Sequence, residues 1–391
     1  MMVVRSQKFR EGFSGFKIDL VSTCALSFDR THSNYRPKTK LGMITLRSAF
    51  ILLSTVFIYW EPPMSDNLIQ AGDLTLRVDP SWPDLSSGLD LVEVAGVAVD
   101  SKNRVYVFNR GDQPMAIFEP DGTFIDSWGG DMFTRPHNVF IGPDDSVYAV
   151  DAGDHTTRKL TPDGELLMTL GTPGVPSDTG ATTDYRTIKQ SAGPFHTPTK
   201  AVLNNDGDLF VSDGYMNARV HRFKADGELV NSWGEPGEAQ GHFDLCHSLA
   251  IHPDGTVIVC DRENSRLQFF DQDGTFLEEW DGISRPCDVY IGPKDGLIYV
   301  AELGHKGGLS VAKPTDNPGI PSVSIWSRDH SLVGKWGDDD FTLPGAFFAP
   351  HGVAIDADGS IYVGEVTVSG DAGRGLIPDD LACIQKFEVV G

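Results

Sequence analysis

Residues 247–280 read HSLAIHPDGTVIVCDRENSRLQFFDQDGTFLEEW. A short apolar run opens the segment, Asp-Gly turn chemistry follows, and an apolar/polar strand ends at Asp261. A third strand, a second Asp-Gly pair and a fourth strand ending at Trp280 complete it. Apolar/polar alternation over five or six residues is a strand pattern, and Asp-Gly pairs supply the positive φ of tight hairpin turns. The same grammar recurs from Gly96, His137 and Lys200, each with its own Asp-Gly hairpin at Asp121-Gly122, Asp163-Gly164 and Asp226-Gly227. Shorter copies start at Cys287 (CDVYIGPKDGLIYVAELG) and His351 (HGVAIDADGSIYVGEV). Four strands per repeat of roughly 40–50 residues is the spacing of a propeller blade. Six copies predict an all-β, six-bladed β-propeller of NHL-like repeats. Residues 70–92 are expected to pack against the last blade and help close the ring. Two long connections, 172–198 and 305–325, interrupt the pattern, and loops of that length in a compact domain usually carry function.

The repeat serves as a ruler. Aligned on the second strand, the residues that open the innermost strands are Ala95, His137, Thr199, His247, Cys287 and His351. Histidine stands in blades two, four and six only, each after a similar entry (RPH, LCH, APH). Innermost strands line the channel of a propeller, and alternate blades lie roughly 120° apart in a six-fold ring. Three imidazoles at one depth can then converge on the axis, which is the ligand set of a three-histidine metal site with an open position, zinc above all. His155 and His305, which follow second-strand ends, could reach the same face. The ends of the second strands form another ring: Asn109-Arg110, Asp151-Ala152, Asp213-Gly214-Tyr215, Asp261-Arg262-Glu263, Glu302 and Glu365. Asp151, Asp213 and Asp261 are expected to be structural. Arg110 and Arg262 carry planar donor forks suited to a carboxylate. Tyr215, beside a cation and two guanidiniums, would have its pKa lowered from about 10 and could serve as a base.

Composition narrows the partners. The 391 residues carry a net charge of −23, which excludes a nucleic-acid partner that needs a basic face. Residues 1–63 hold nine Lys/Arg against four Asp/Glu, leaving −28 for residues 64–391. That break sets a boundary between an N-terminal extension, 1–63, and a propeller domain, 64–391. The apolar run 49–60 has twelve residues, short of the roughly 20 that span a bilayer, so no membrane contact is expected. The extension reads as an over-long start; the domain is cytoplasmic if the chain begins near Met64, and otherwise exported or anchored through 49–60. Five cysteines without a CxxC pair indicate a protein not built on disulfides. A monomer is expected.

The strings VSDGYMNARV (211–220), CDRENSRLQFF (260–270), VAGVAVDSKNRVYVFNRGD (94–112) and PHGVAIDADGSIYVGE (350–365) resemble the peptidyl-α-hydroxyglycine α-amidating lyases over residues 92–391. The resemblance implies cleavage of a carbinolamide to an amide and glyoxylate, with zinc on His137, His247 and His351. It implies Tyr215 as catalytic base, and Arg110 and Arg262 as catalytic and substrate-binding residues. The substrate would be a small or peptide-derived molecule with a carboxylate. Two departures stand out: Met216 replaces a family cysteine, so that disulfide is lacking. Gly352 replaces the Asp that, with backbone carbonyls, implies a structural calcium. A metal-dependent hydrolase or lyase acting on another hemiaminal-like substrate, and a non-enzymatic propeller that binds a partner, fit the same repeats. Because every blade lies beyond Met64, a chain beginning there is expected to fold and keep its activity. An insoluble product, where the full chain is soluble, would overturn the boundary.

Overall fold

The computed structural model describes residues 67–308, 319–378 and 381–391. The expected boundary near Met64, the run 49–60, Cys24 and the middle of the 305–325 connection lie outside them. Blade one comprises Val94–Val99, Val105–Asn109, Met115–Phe118 and Phe124–Trp128; blade two Pro136–Ile141, Val147–Asp151, Thr156–Leu160 and Leu166–Leu170. Blade three comprises Pro198–Leu203, Leu209–Asp213, Arg219–Phe223 and Leu229–Trp233; blade four Cys246–Ile251, Val257–Asp261, Arg266–Phe270 and Phe276–Trp280. Blade five comprises Pro286–Ile291, Ile298–Glu302, Ser322–Trp326 and Leu332–Trp336. Each is an antiparallel meander. Blade six takes Pro350–Ile355, Ile361–Glu365 and Ile384–Val389 from the chain's end. Leu74–Asp79 and Leu68–Ala71, from the beginning, add its outer two strands. The six-bladed all-β propeller is thus the observed fold, closed by pairing Leu76–Asp79 with Lys386–Val389. Strands within 68–79 make the closing pairs, and Trp82 and Leu91 of the connection that follows pack on the last blade against Tyr362 and Ile384, as expected.

Local chemistry explains the blades. At the outer hairpins Gly122, Gly164, Gly227 and Gly274 take φ between +85° and +93°, where a Cβ would be strained. In blades one and three the preceding Asp accepts the amide two residues on, Asp121 from Thr123 and Asp226 from Glu228. Helix is nearly absent among the described residues: one five-residue segment, Thr367–Asp371, and two single 3₁₀ turns. No described helix is long and apolar enough to cross a membrane.

The core is a ring of clusters between neighbouring blades. Phe210, Trp233, Phe243, Leu249 and Phe270 knit blades three and four, and Leu76, Val323, Trp336, Val353 and Phe387 knit five and six. The described cysteines, Cys246, Cys260, Cys287 and Cys383, are buried and free.

One irregularity positions the site. In every blade the innermost strand slips register after its first residue, for example between Pro136 and Asn138 and between Cys246 and Ser248. The residue passed over is Ala95, His137, Thr199, His247, Cys287 or His351. A β-bulge leaves its extra residue outside the ladder and re-aims it. The ring picked out by the repeat ruler is therefore the ring of bulge residues.

Leu76, fully buried in the closing strand, makes closure measurable. Leu76→Ala is expected to cost about 2–5 kcal/mol. Leu229→Ala, on the exposed outer strand of blade three, should stay within about 0.5 kcal/mol. Denaturant midpoints that shift equally would mean that the N-terminal strands do not hold the ring shut.

Candidate metal centre and substrate cleft

His137, His247 and His351 meet on the axis, with one ligand nitrogen of each within 4.8 Å of the others and all three side chains buried. Their ring centroids stand 4.7–4.9 Å apart. Each Nδ1 faces a bulge carbonyl of the next blade: His137 that of Thr199 at 2.7 Å, His247 that of Cys287 at 2.6 Å, His351 that of Ala95 at 2.7 Å. A carbonyl only accepts, so each Nδ1 carries the proton and each Nε2 presents a lone pair. The bulge supplies both partners, since it aims the imidazole inward and frees the neighbouring carbonyl from its ladder.

This is the outer support that metal-binding histidines use. The fit to a metal rests on a further observation: His137 Nε2 is buried without a hydrogen-bond partner, a costly condition. All three histidines are held unprotonated. Burial is the main cause for each; His137 and His247 lie well below the ordinary range and His351 is pushed down to about 3. Neighbouring guanidiniums, Arg262 at His247 and Arg110 at the other two, act in the same direction.

Tyr215 reaches the centre, its hydroxyl 3.0 Å from His247 Nε2. That nitrogen is an acceptor, so the hydroxyl donates. Arg262 Nη1 donates to the same oxygen at 3.4 Å, and the guanidinium lies over the Tyr215 ring at 5.4 Å. Glu263 accepts from Arg262 Nε at 2.8 Å and from Arg285 Nη2 at 3.0 Å. Burial, the largest single influence, would lower the Arg262 pKa, but Glu263, Tyr215 and Cys287 together outweigh it and raise it. Arg110 donates to Glu93 at 2.7 Å, Ser369 at 2.8 Å and the Pro136 carbonyl at 2.9 Å. Burial pushes Glu93 up, and Arg110 and Ser369 outweigh it, so its pKa is lowered. Arg110, Tyr215, Arg262 and His351 line one cleft of about 500 Å³, together with Tyr185 from the 172–198 connection.

The acidic strand ends are structural, as expected. Asp151 accepts the amides of Thr134 and Arg135, Asp213 that of His196, and Asp261 that of Asp244. Each ties an entry turn to its own blade. Neither His155 nor His305 joins the triad: His155 accepts from the Thr197 amide, and His305 is exposed and donates to the Gly319 carbonyl. Three participants escaped the sequence reading: Arg135, Glu93 and Ser369. Only Arg135 left a signal, as the first residue of the RPH entry.

Calcium does not fit. A Cβ at Gly352 would stand 3.0 Å from the Gly96 Cα. One residue past the histidine level the channel holds its own cation: Lys200 Nζ lies 2.5 Å from Asp288 Oδ1 and 3.2 Å from the Val289 carbonyl. Ser248 Oγ and the Val353 amide complete the Asp288 carboxylate.

An NHL repeat model matches residues 243–270. The chain is 31% identical to NHL repeat-containing protein 3 of Mus musculus, over 75% of this chain and 82% of that protein. It is 30% identical to peptidyl-alpha-hydroxyglycine alpha-amidating lyase 1 of Drosophila melanogaster, over 68% of this chain but half of that protein. A solved gluconolactonase from Xanthomonas campestris superposes with a TM-score of 0.53 at 12% identity, over 82% of this chain and 91% of its own. At that identity it speaks to fold alone.

The depressed histidines set a pH dependence for the metal-free protein. Below about 6.5, the ordinary histidine value, the unfolded chain takes up protons that the folded one refuses, so stability falls with pH. For His351 the loss continues towards about 3. Urea midpoints of metal-free protein should fall between pH 7 and pH 5, and His351→Gln should make the slope shallower by about one proton, roughly 1.4 kcal/mol per pH unit. An unchanged slope would contradict the assignment.

Proposed function

The chain belongs to the NHL-repeat proteins, and on that premise we propose that it is a zinc-dependent lyase that cleaves a carbinolamide, R-CO-NH-CH(OH)-COO⁻, to an amide and glyoxylate. The observation that carries this reading is the Tyr215 hydroxyl, 3.0 Å from His247 Nε2 and 3.4 Å from Arg262 Nη1, in the cleft that His351 also lines. The name of the Drosophila relative supports the same chemistry. A zinc ion held by His137, His247 and His351 would supply Lewis acidity towards the carbinol hydroxyl.

The chain's own groups do the remainder. Tyr215, as phenolate, accepts the carbinol proton, and Arg262, donating to the same oxygen, balances its charge. As the C–O bond becomes a carbonyl the C–N bond breaks, and Tyr215 returns the proton to the departing amide nitrogen. No water is consumed and atoms balance. Arg110 and Arg262 present N–H groups to the carboxylate end of the substrate. Glu93 and Glu263 hold these forks in place, the pre-organisation that lets a site bind without rebuilding itself.

Purified protein is expected to carry about one zinc ion per chain, and His247→Ala should abolish both metal and turnover. Tyr215→Phe removes one hydroxyl and should keep fold and metal, with kcat lower by about 10²–10⁴. Metal analysis with product mass analysis on α-hydroxyglycine derivatives checks all three. Full activity in metal-free His247→Ala protein would end the proposal. Protein that holds no metal and turns over no carbinolamide would leave a partner-binding propeller.

A further inference from the structure

A second cavity, of about 330 Å³, adjoins the site. It meets the first cleft at three shared residues, Arg135, Tyr215 and Met216. The 172–198 connection walls it with Pro176, Thr182, His196 and Thr197, and no carboxylate lines it. Because Tyr215 borders both spaces, a substrate whose carbinol carbon sits at the phenol has one end in each.

Most guanidiniums of the first cleft are ion-paired. Arg110 pairs with Glu93, Arg262 and Arg285 with Glu263, and Arg186 with Asp184. Arg135 differs. Its side chain is exposed and makes no ion pair or hydrogen bond among the described residues. Asp112 and Asp131 line the groove on its far side without reaching it. Its backbone is nonetheless fixed, the amide by Asp151 and the carbonyl by Ala152. Its stem lies against Gly153, where a Cβ would come within 2.8 Å of the Arg135 Cβ. A second donor shares the cavity. His155 Nδ1 accepts the Thr197 amide at 3.1 Å, so its proton is on Nε2, and that N–H has no partner among the described residues.

We propose that the second cavity is the acyl-group subsite, and that Arg135 and His155 make it select carbinolamides whose acyl group carries a carboxylate. An unpaired guanidinium beside an unpaired imidazole N–H, with no acid in the lining, matches an anion and repels nothing but a cation. The chain's lyase reading supplies only the other end of the ligand. Arg110 and Arg262 receive the glycine carboxylate in the first cleft, and Arg135 and His155 receive the second anion.

The test uses the unreactive ligands N-succinylglycine and N-succinamoylglycine, which differ by a terminal carboxylate against a carboxamide. Calorimetry on the full chain, with its zinc content recorded, should show the carboxylate ligand binding about 10- to 100-fold more tightly, the worth of a charge-assisted contact. Arg135→Gln should bring that ratio to near one. Gly153→Ala keeps every charge and displaces the Arg135 stem, so it should lower the ratio too and guards against misfolding of the first variant. A ratio near one in the unaltered protein, or one that survives both substitutions, overturns the proposal. Turnover of N-succinyl-α-hydroxyglycine is read separately: discrimination in binding without turnover ends the lyase reading and leaves the subsite standing.

Discussion

A single extra residue at the mouth of each innermost strand governs this molecule. The bulge recurs in all six blades at the same register. Where that residue is histidine, its side chain turns to the axis. Where it is Ala95, Thr199 or Cys287, its carbonyl receives the Nδ1 of the histidine one blade earlier. The alternation of histidine and non-histidine blades is thus a pairing of donors with acceptors around the ring. Three lone pairs face inward because three carbonyls hold the other nitrogens.

Charge is laid out in layers around that centre. At the histidine level the three imidazoles are buried, and burial keeps them neutral. One residue along the channel, Lys200 and Asp288 form a buried pair that Ser248 and Val353 complete. Such a pair adds little net stability beyond what an apolar plug would, but losing one partner leaves a costly buried charge. At the outer end, Glu93 and Glu263 pair with Arg110 and Arg262 and orient them as donors, whereas Arg135 has no carboxylate partner among the described residues.

Much of this was legible in the residues. The period and the Asp-Gly turns counted the blades, and the phase of the repeat placed His137, His247 and His351 on one level and Tyr215, Arg110 and Arg262 on another. These are within-repeat facts, and a repeat copies them at fixed spacing. Arg135 was harder, because it stands two residues ahead of the aligned register. Glu93 and Ser369 were out of reach, since 276 residues separate them and ring closure alone brings them together.

Read alone, the residues yield the architecture, the shared level of His137, His247 and His351, and the absence of a carboxylate at Gly352. Only the closed ring settles which nitrogen of each histidine carries the proton, which arginines are ion-paired, and that Lys200 meets Asp288 across two blades. The division has a physical cause. Strand periodicity and turn chemistry act over a few neighbouring residues and are written in order along the chain. Tautomers and ion pairs are settled between blades, by backbone carbonyls and carboxylates whose positions exist only once the ring has closed.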